Sequence, residues 1–263
     1  MDFGNKLYRT VKDLKLLIFD IGEKIALSKT AFSFYRDNIK ATEKGIVTIT
    51  TPLGLDYEDE VIEHEYEYSY SELKLRINEL CIDQLAIDGI YKMVTSVESV
   101  MVAVLDVILQ KYPAKISNKI KIDSNLIFEV QSLEELKTQL FKRIINELTY
   151  KSPEDFAKDF KDYTSVDLNK CDDYERYIEL KATRDLYMHN DGIVNEIYLR
   201  KAKKLARAKE KSKIICDYNY FLKSYEVCFK VVEYIIEELN KKWKSSEYEE
   251  WKNRVDNKVK INK

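Results

Sequence analysis

The sequence holds little glycine and almost no proline: six and three in 263 residues. That scarcity excludes a turn-rich β fold, which needs both at its many corners. Histidine is scarcer still, at two residues, so a histidine-built metal centre has almost nothing to draw on. Four cysteines, Cys81, Cys171, Cys216 and Cys228, stand far apart with no CxxC pair, which removes zinc ribbons and redox dithiols and predicts reduced, buried thiols. No large excess of one charge is present either: 44 Lys and Arg meet 46 Asp and Glu. Nucleic acid would therefore have to be held by a local patch and not by a global field. The N-terminal stretch carries Asp2, Lys6, Arg9, Lys12 and Lys15 in place of the apolar block of a signal peptide. The longest apolar run, Val100 to Leu105, stops at Asp106. A cytoplasmic protein with no membrane segment is the expectation.

What remains is a chain written for helices. Leu7, Val11, Leu14, Ile18 and Ile21 recur every three or four positions, which predicts an amphipathic helix over Lys6 to Lys44, closed by Gly45. The β-branched run Ile46 to Thr50 and the alternation Ile62, His64, Tyr66, Tyr68, Tyr70 predict a hairpin over 46–70, with Pro52 and Gly54 in its loop. Acidic residues Asp56, Glu58, Asp59, Glu60, Glu63, Glu65 and Glu67 crowd that loop and edge, where charge discourages strand addition. Ser71 is read as the cap of a long central helix reaching Tyr112-Pro113, with a kink at Gly89. Ser132-Leu133-Glu134-Glu135 and Ser152-Pro153-Glu154-Asp155 are two further helix starts, and the segment 114–131 between has no period. A helix over Asp172 to Met188 ends at Asn190-Asp191-Gly192. An apolar stripe from Tyr220 to Leu239 marks a last long helix, and the residues after it, 245–263, read as a frayed charged tail. The fold class predicted is all-α, a single helical bundle over 1–263 with an inserted β-hairpin.

Chemistry concentrates in one stretch. Arg184-Asp185-Leu186-Tyr187-Met188-His189-Asn190-Asp191-Gly192 sets a permanently charged planar fork five residues before one of the two histidines, at a helix end. The stretch Arg184 to Leu199, an Arg-polar-x-x-x-His motif followed by Asn-x-Gly-Ile-Val-Asn, resembles the active-site helix of HEPN-domain proteins. The resemblance covers about twenty residues. It implies an all-α HEPN-like domain that forms a homodimer, and a metal-independent endoribonuclease needing no cofactor. In many members that activity serves as a toxin or in antiviral defence, under an antitoxin or sensor partner. Other members are non-catalytic and bind a partner protein or a nucleotide.

RNA cleavage by its own 2′-hydroxyl needs a base, an acid and a cation at the phosphorane. On this reading His189 transfers protons, Arg184 holds the scissile phosphate, and Asp185 and Asn190 orient the site, with Glu179 supporting Arg184. Two copies would supply two histidines at one composite site. Five residues at about 100° each put Arg184 and His189 roughly 140° apart, so their convergence requires the last turn to unwind. The basic run from Arg200, including Lys201, Lys203, Lys204 and Arg207, is the candidate RNA-binding surface. His64 sits between Glu63 and Glu65, but neighbours on a strand face opposite ways, and no metal site is expected there.

Overall fold

The longest apolar stripe of the sequence becomes the axis of the molecule. In the computed structural model, which describes residues 2–40, 45–116 and 130–261, one continuous helix runs from Tyr70 to Lys111. It comprises α2 (Tyr70–Arg76), a π-helical stretch (Ile77–Asp83) and α3 (Gln84–Lys111). Ile90, Met93, Val97, Val100, Val104 and Ile108 recur at steps of three and four and are all buried. Each such side chain contributes roughly 1.5–3 kcal/mol by leaving water. By length and composition this helix could cross a membrane. Here its apolar face is covered by α1 (Phe3–Asn38) and by α8, the helix Tyr218–Lys242.

Its opposite side receives α4 (Leu133–Thr149), α5 (Pro153–Thr164) and α6 (Tyr174–Asn190), and the short α7 (Glu196–Ala202) lies along α6. The caps at Ser132 and Ser152 form as the sequence predicts, each hydroxyl accepting from the backbone N–H three residues on, at 3.1 Å. The capping serine of the central helix is Ser69, which accepts from Glu72 N at 3.3 Å, and not Ser71. Gly89 serves packing and makes no break in α3. A Cβ there would lie 2.5 Å from the Phe221 ring and 3.1 Å from Ile25, so its absence lets α3 cross both neighbours closely. The helical irregularity falls instead at Ile77–Asp83.

The hairpin is antiparallel, β1 (Ile46–Leu55) with β2 (Val61–Ser69), and joins the body through a small separate core. Leu73, Ile77 and Ile82 bury against Val47, Ile49 and Tyr68. Pro52 and Gly54 lie inside β1, at a register shift, and the loop is Asp56 to Glu60. Pro52 has no N–H to give the ladder, and the irregularity beside it is where a strand tolerates proline.

The two ends of the chain differ from the pattern expected of them. The first helix ends at Asn38, with 41–44 outside the described residues, as are 117–129 of the aperiodic segment. The charged tail is a docked helix, α9 (Ser246–Ile261). Tyr248 is buried against Tyr8, their ring centres 5.6 Å apart, and Arg9 holds the Glu247 carboxylate with two nitrogens at 2.6 and 2.8 Å. Three of the four free cysteines are buried, while Cys81 is only half-buried.

Candidate active-site cleft

A cleft of about 1060 Å³ opens along α6, with Glu98 and Met101 of α3 at its base, the α4–α5 turn as one wall and α7 as the other. Its lining carries Lys151, Lys181, Arg184, Arg200, Lys201 and Lys203 against Glu98, Glu154 and Asp185. Six cations to three carboxylates leave a local positive excess that the near-neutral composition hides. His189 and Asn190 line the same cleft.

Arg184 is held from two sides. Its Nη2 donates to both oxygens of Glu98 at 3.1 Å, and Nε lies 3.0 Å from Asp185 Oδ1 at an angle that makes no hydrogen bond. The side chain is 13% exposed, so the guanidinium is largely withdrawn from water and its charge is already matched. Glu98 also receives Lys181 at 2.5 Å, and Asp185 receives Lys201 at 3.1 Å. Glu98 stands 86 positions before Arg184 in the chain, and no local pattern announces it.

His189 is exposed in the last turn of α6 and makes no hydrogen bond or ion pair among the described residues. Here the structure corrects the expected unwinding. The helix stays intact through Asn190, and the left-handed residues are Asp191 and Gly192, with φ of 47° and 74°. Both their N–H groups turn back to Leu186 O, which finishes the helix beyond the histidine. Arg184 therefore faces α3 while His189 lies elsewhere on the cleft, which reaches around the helix end to touch both. Asn190 donates its side-chain amide to Ile193 O at 2.6 Å and so holds the turn.

Glu179 does not support Arg184. It is buried and accepts from Thr183 Oγ1 at 2.7 Å, Tyr198 OH at 2.8 Å and Tyr220 OH at 2.9 Å. Burial first, and the Glu179 charge second, push the Tyr198 phenol up to about 12 and hold Tyr220 well above its ordinary value. Arg207, exposed in the basic run, also leans on this network. Its guanidinium lies 3.4 Å from the centre of the Tyr220 ring and donates to the Ile215 carbonyl, and its backbone N–H meets Tyr198 OH at 3.1 Å. The rest of the basic run is mostly paired as well: Lys201 with Asp185, Lys203 with Glu154 at 2.7 Å, and Lys204 with Glu175 at 3.0 Å. Arg200 alone among the five has no partner within the described residues, and it lines the cleft.

Among the described residues no group of His, Cys, Asp and Glu side chains is placed to hold a metal ion. His64, on the hairpin, packs edge-on against Tyr66 at 4.5 Å. No family model matches the chain, and neither a curated protein nor a solved structure matches it.

Proposed function

We propose that this protein is a metal-independent endoribonuclease of HEPN type, acting as a homodimer, with the role of a toxin or defence effector under an antitoxin or sensor. The observation that carries this reading is the cleft itself. It gathers the whole Arg184, Asp185, His189 motif and Arg200, which has no partner among the described residues, into one positively charged groove, with the imidazole exposed there.

In the proposed reaction His189 of one copy takes the proton of a ribose 2′-hydroxyl, and that oxygen attacks the adjacent phosphorus. The bond to the 5′-oxygen breaks, and the imidazolium of the second copy's His189 protonates the leaving group. The products are a 2′,3′-cyclic phosphate and a 5′-hydroxyl, and no water or metal is consumed. Arg200 and the clamped Arg184 offset charge on the phosphorane. A second copy suits the stretch around His189, where Met188, Ile193 and Ile197 all stand exposed. Such apolar side chains in one neighbourhood favour coverage by protein.

The test is incubation of the wild type and His189→Ala with a defined tRNA in EDTA, followed by end-group analysis. Cleavage by the wild type alone, at a rate at least ~100-fold above the variant and leaving cyclic phosphates, is the expected result. Fragments carrying 5′-phosphates would sink the mechanism. A second reading, a non-catalytic HEPN-like module that binds a partner protein or nucleotide, is favoured by the neutralisation of Arg184 between Glu98 and Asp185. It predicts intact RNA with both proteins.

A further inference from the structure

The inner cleft contains a polar atom that folding leaves unsatisfied. Tyr177 is 3% exposed and lines the cleft, and its hydroxyl has no hydrogen-bond partner among the described residues. A buried phenol normally finds one, because leaving it bare costs roughly 1–3 kcal/mol. The ring cannot easily turn away to find a partner. It stacks on Tyr174, centres 6.2 Å apart and planes 25° apart, and Tyr174 donates its own hydroxyl to Pro153 O at 3.4 Å. Two stacked tyrosines therefore back the cleft, one with its hydroxyl bonded and one whose hydroxyl, closed off from solvent, has no acceptor among the described residues. Burial first, and Glu98 second, hold the Tyr177 phenol well above its ordinary pKa, so it remains a donor at physiological pH.

The charge nearby selects a neutral acceptor. Lys181 and Arg184 follow Tyr177 at four and seven residues, on the same side of α6, and both are already engaged by Glu98. A phosphate placed at Tyr177 would meet that carboxylate, whereas a carbonyl oxygen or ring nitrogen would not. The uncommitted cation, Arg200, belongs to α7. A second aromatic group supplies a stacking surface. Tyr150, in the α4–α5 turn, lines the same cleft and is 85% exposed.

We propose that this part of the cleft is a nucleobase subsite. In it a small shift of the lining uncovers the Tyr177 hydroxyl, which donates to a carbonyl oxygen or ring nitrogen of one base of a single-stranded RNA, while Tyr150 stacks on that base and the phosphates run toward Arg200 and Lys201. The subsite deepens the ribonuclease reading and rests on it for the polymer. A cleft of about 1060 Å³ has room for a splayed nucleotide, and single-strand recognition of this kind depends on stacking plus hydrogen bonds to base edges.

The test is fluorescence anisotropy in EDTA with labelled 2′-O-methyl pentanucleotides, which cannot be cleaved: four homopolymers, and one strand with a central abasic position. The full chain is used as wild type, Tyr177→Phe, Tyr150→Ala and Tyr150→Phe. Tyr150→Ala is expected to weaken every base-containing strand on the order of tenfold, with Tyr150→Phe restoring affinity. Tyr177→Phe is expected to weaken one homopolymer on the order of tenfold and leave the abasic strand unaffected. Equal binding of abasic and intact strands, or variants that bind like the wild type, overturns the subsite. Nucleoside monophosphates that bind as tightly as pentanucleotides overturn the polymer assignment. Binding with the expected losses, but no cleavage of unmodified RNA, supports the subsite and sinks only the ribonuclease reading. No binding by the wild type overturns both.

Discussion

Replacing Tyr177 by phenylalanine should stabilise the free protein, which is the reverse of what most buried substitutions do. The ring stays, with its stacking on Tyr174, and only the hydroxyl is lost. In the unfolded chain water satisfies that hydroxyl, while in the fold nothing described does. Folding therefore carries a desolvation cost of roughly 1–3 kcal/mol that phenylalanine avoids. Lost dispersion contacts of the oxygen return part of this, at ~0.1–0.2 kcal/mol per atom pair. The net gain is about 1 kcal/mol, or roughly 2–4 °C in Tm for a chain of this size. Urea denaturation checks it: the midpoint should rise with the slope unchanged. Tyr174→Phe is the internal control, because its hydroxyl is bonded to Pro153 O and its loss should cost about 0.5–1.5 kcal/mol. A destabilisation of ~1 kcal/mol or more by Tyr177→Phe would mean that the hydroxyl is satisfied within the fold, and the argument for a waiting donor would be refuted.

Glu179→Ala strips three hydroxyls of their acceptor and should cost about 4 kcal/mol by urea denaturation, with Glu179→Gln losing roughly half as much; a loss under ~1 kcal/mol would show the network to be unimportant. Alkaline stability follows from Tyr198, Tyr234 and Tyr248, each pushed by burial from 10.0 up to about 12. A pKa raised on folding means that the native state holds the proton more tightly, so this contribution is complete below pH 10 and is lost as pH climbs toward about 12. Phenolate absorbance followed alongside circular dichroism should show these tyrosines ionising together with unfolding; their titration at the ordinary value in a still-folded protein would contradict the burial argument.

Local chemistry was legible and long-range pairing was not. Ser132 and Ser152 announced helices because a cap acts within three residues, and Gly192 closed α6 because only the left-handed turn was at issue. Ser69 and Ser71 are both good caps, and the choice between them depends on where β2 stops pairing with β1. The basic run from Arg200 looks like one surface in sequence, yet Glu154, Asp185 and Glu175 reach it from α5 and α6, and Arg207 lies over the Tyr220 ring. Glu98 and Tyr177, which define the inner cleft, belong to ordinary helical patterns and gain meaning only from what packs beside them. The tail misled because its charge outweighs Tyr248 and Trp251, although those two lie three residues apart and their rings meet at 5.9 Å.

The π-helical stretch has a consequence for how this chain could change length. The buried positions Leu73, Ile77, Ile82, Ala86 and Ile90 advance by four, five, four and four residues, and the step of five falls within Ile77–Asp83. A regular α-helix with that extra residue would rotate everything before it by about 100° relative to α3, swinging the hairpin to another side of the bundle. The wider turn absorbs the addition and keeps both cores in line. It holds one residue of slack in the first third of the longest described helix, between the hairpin's small core and the main one. Removing the exposed Leu80 would return the stretch to ordinary α geometry and leave the hairpin pointing where it does now.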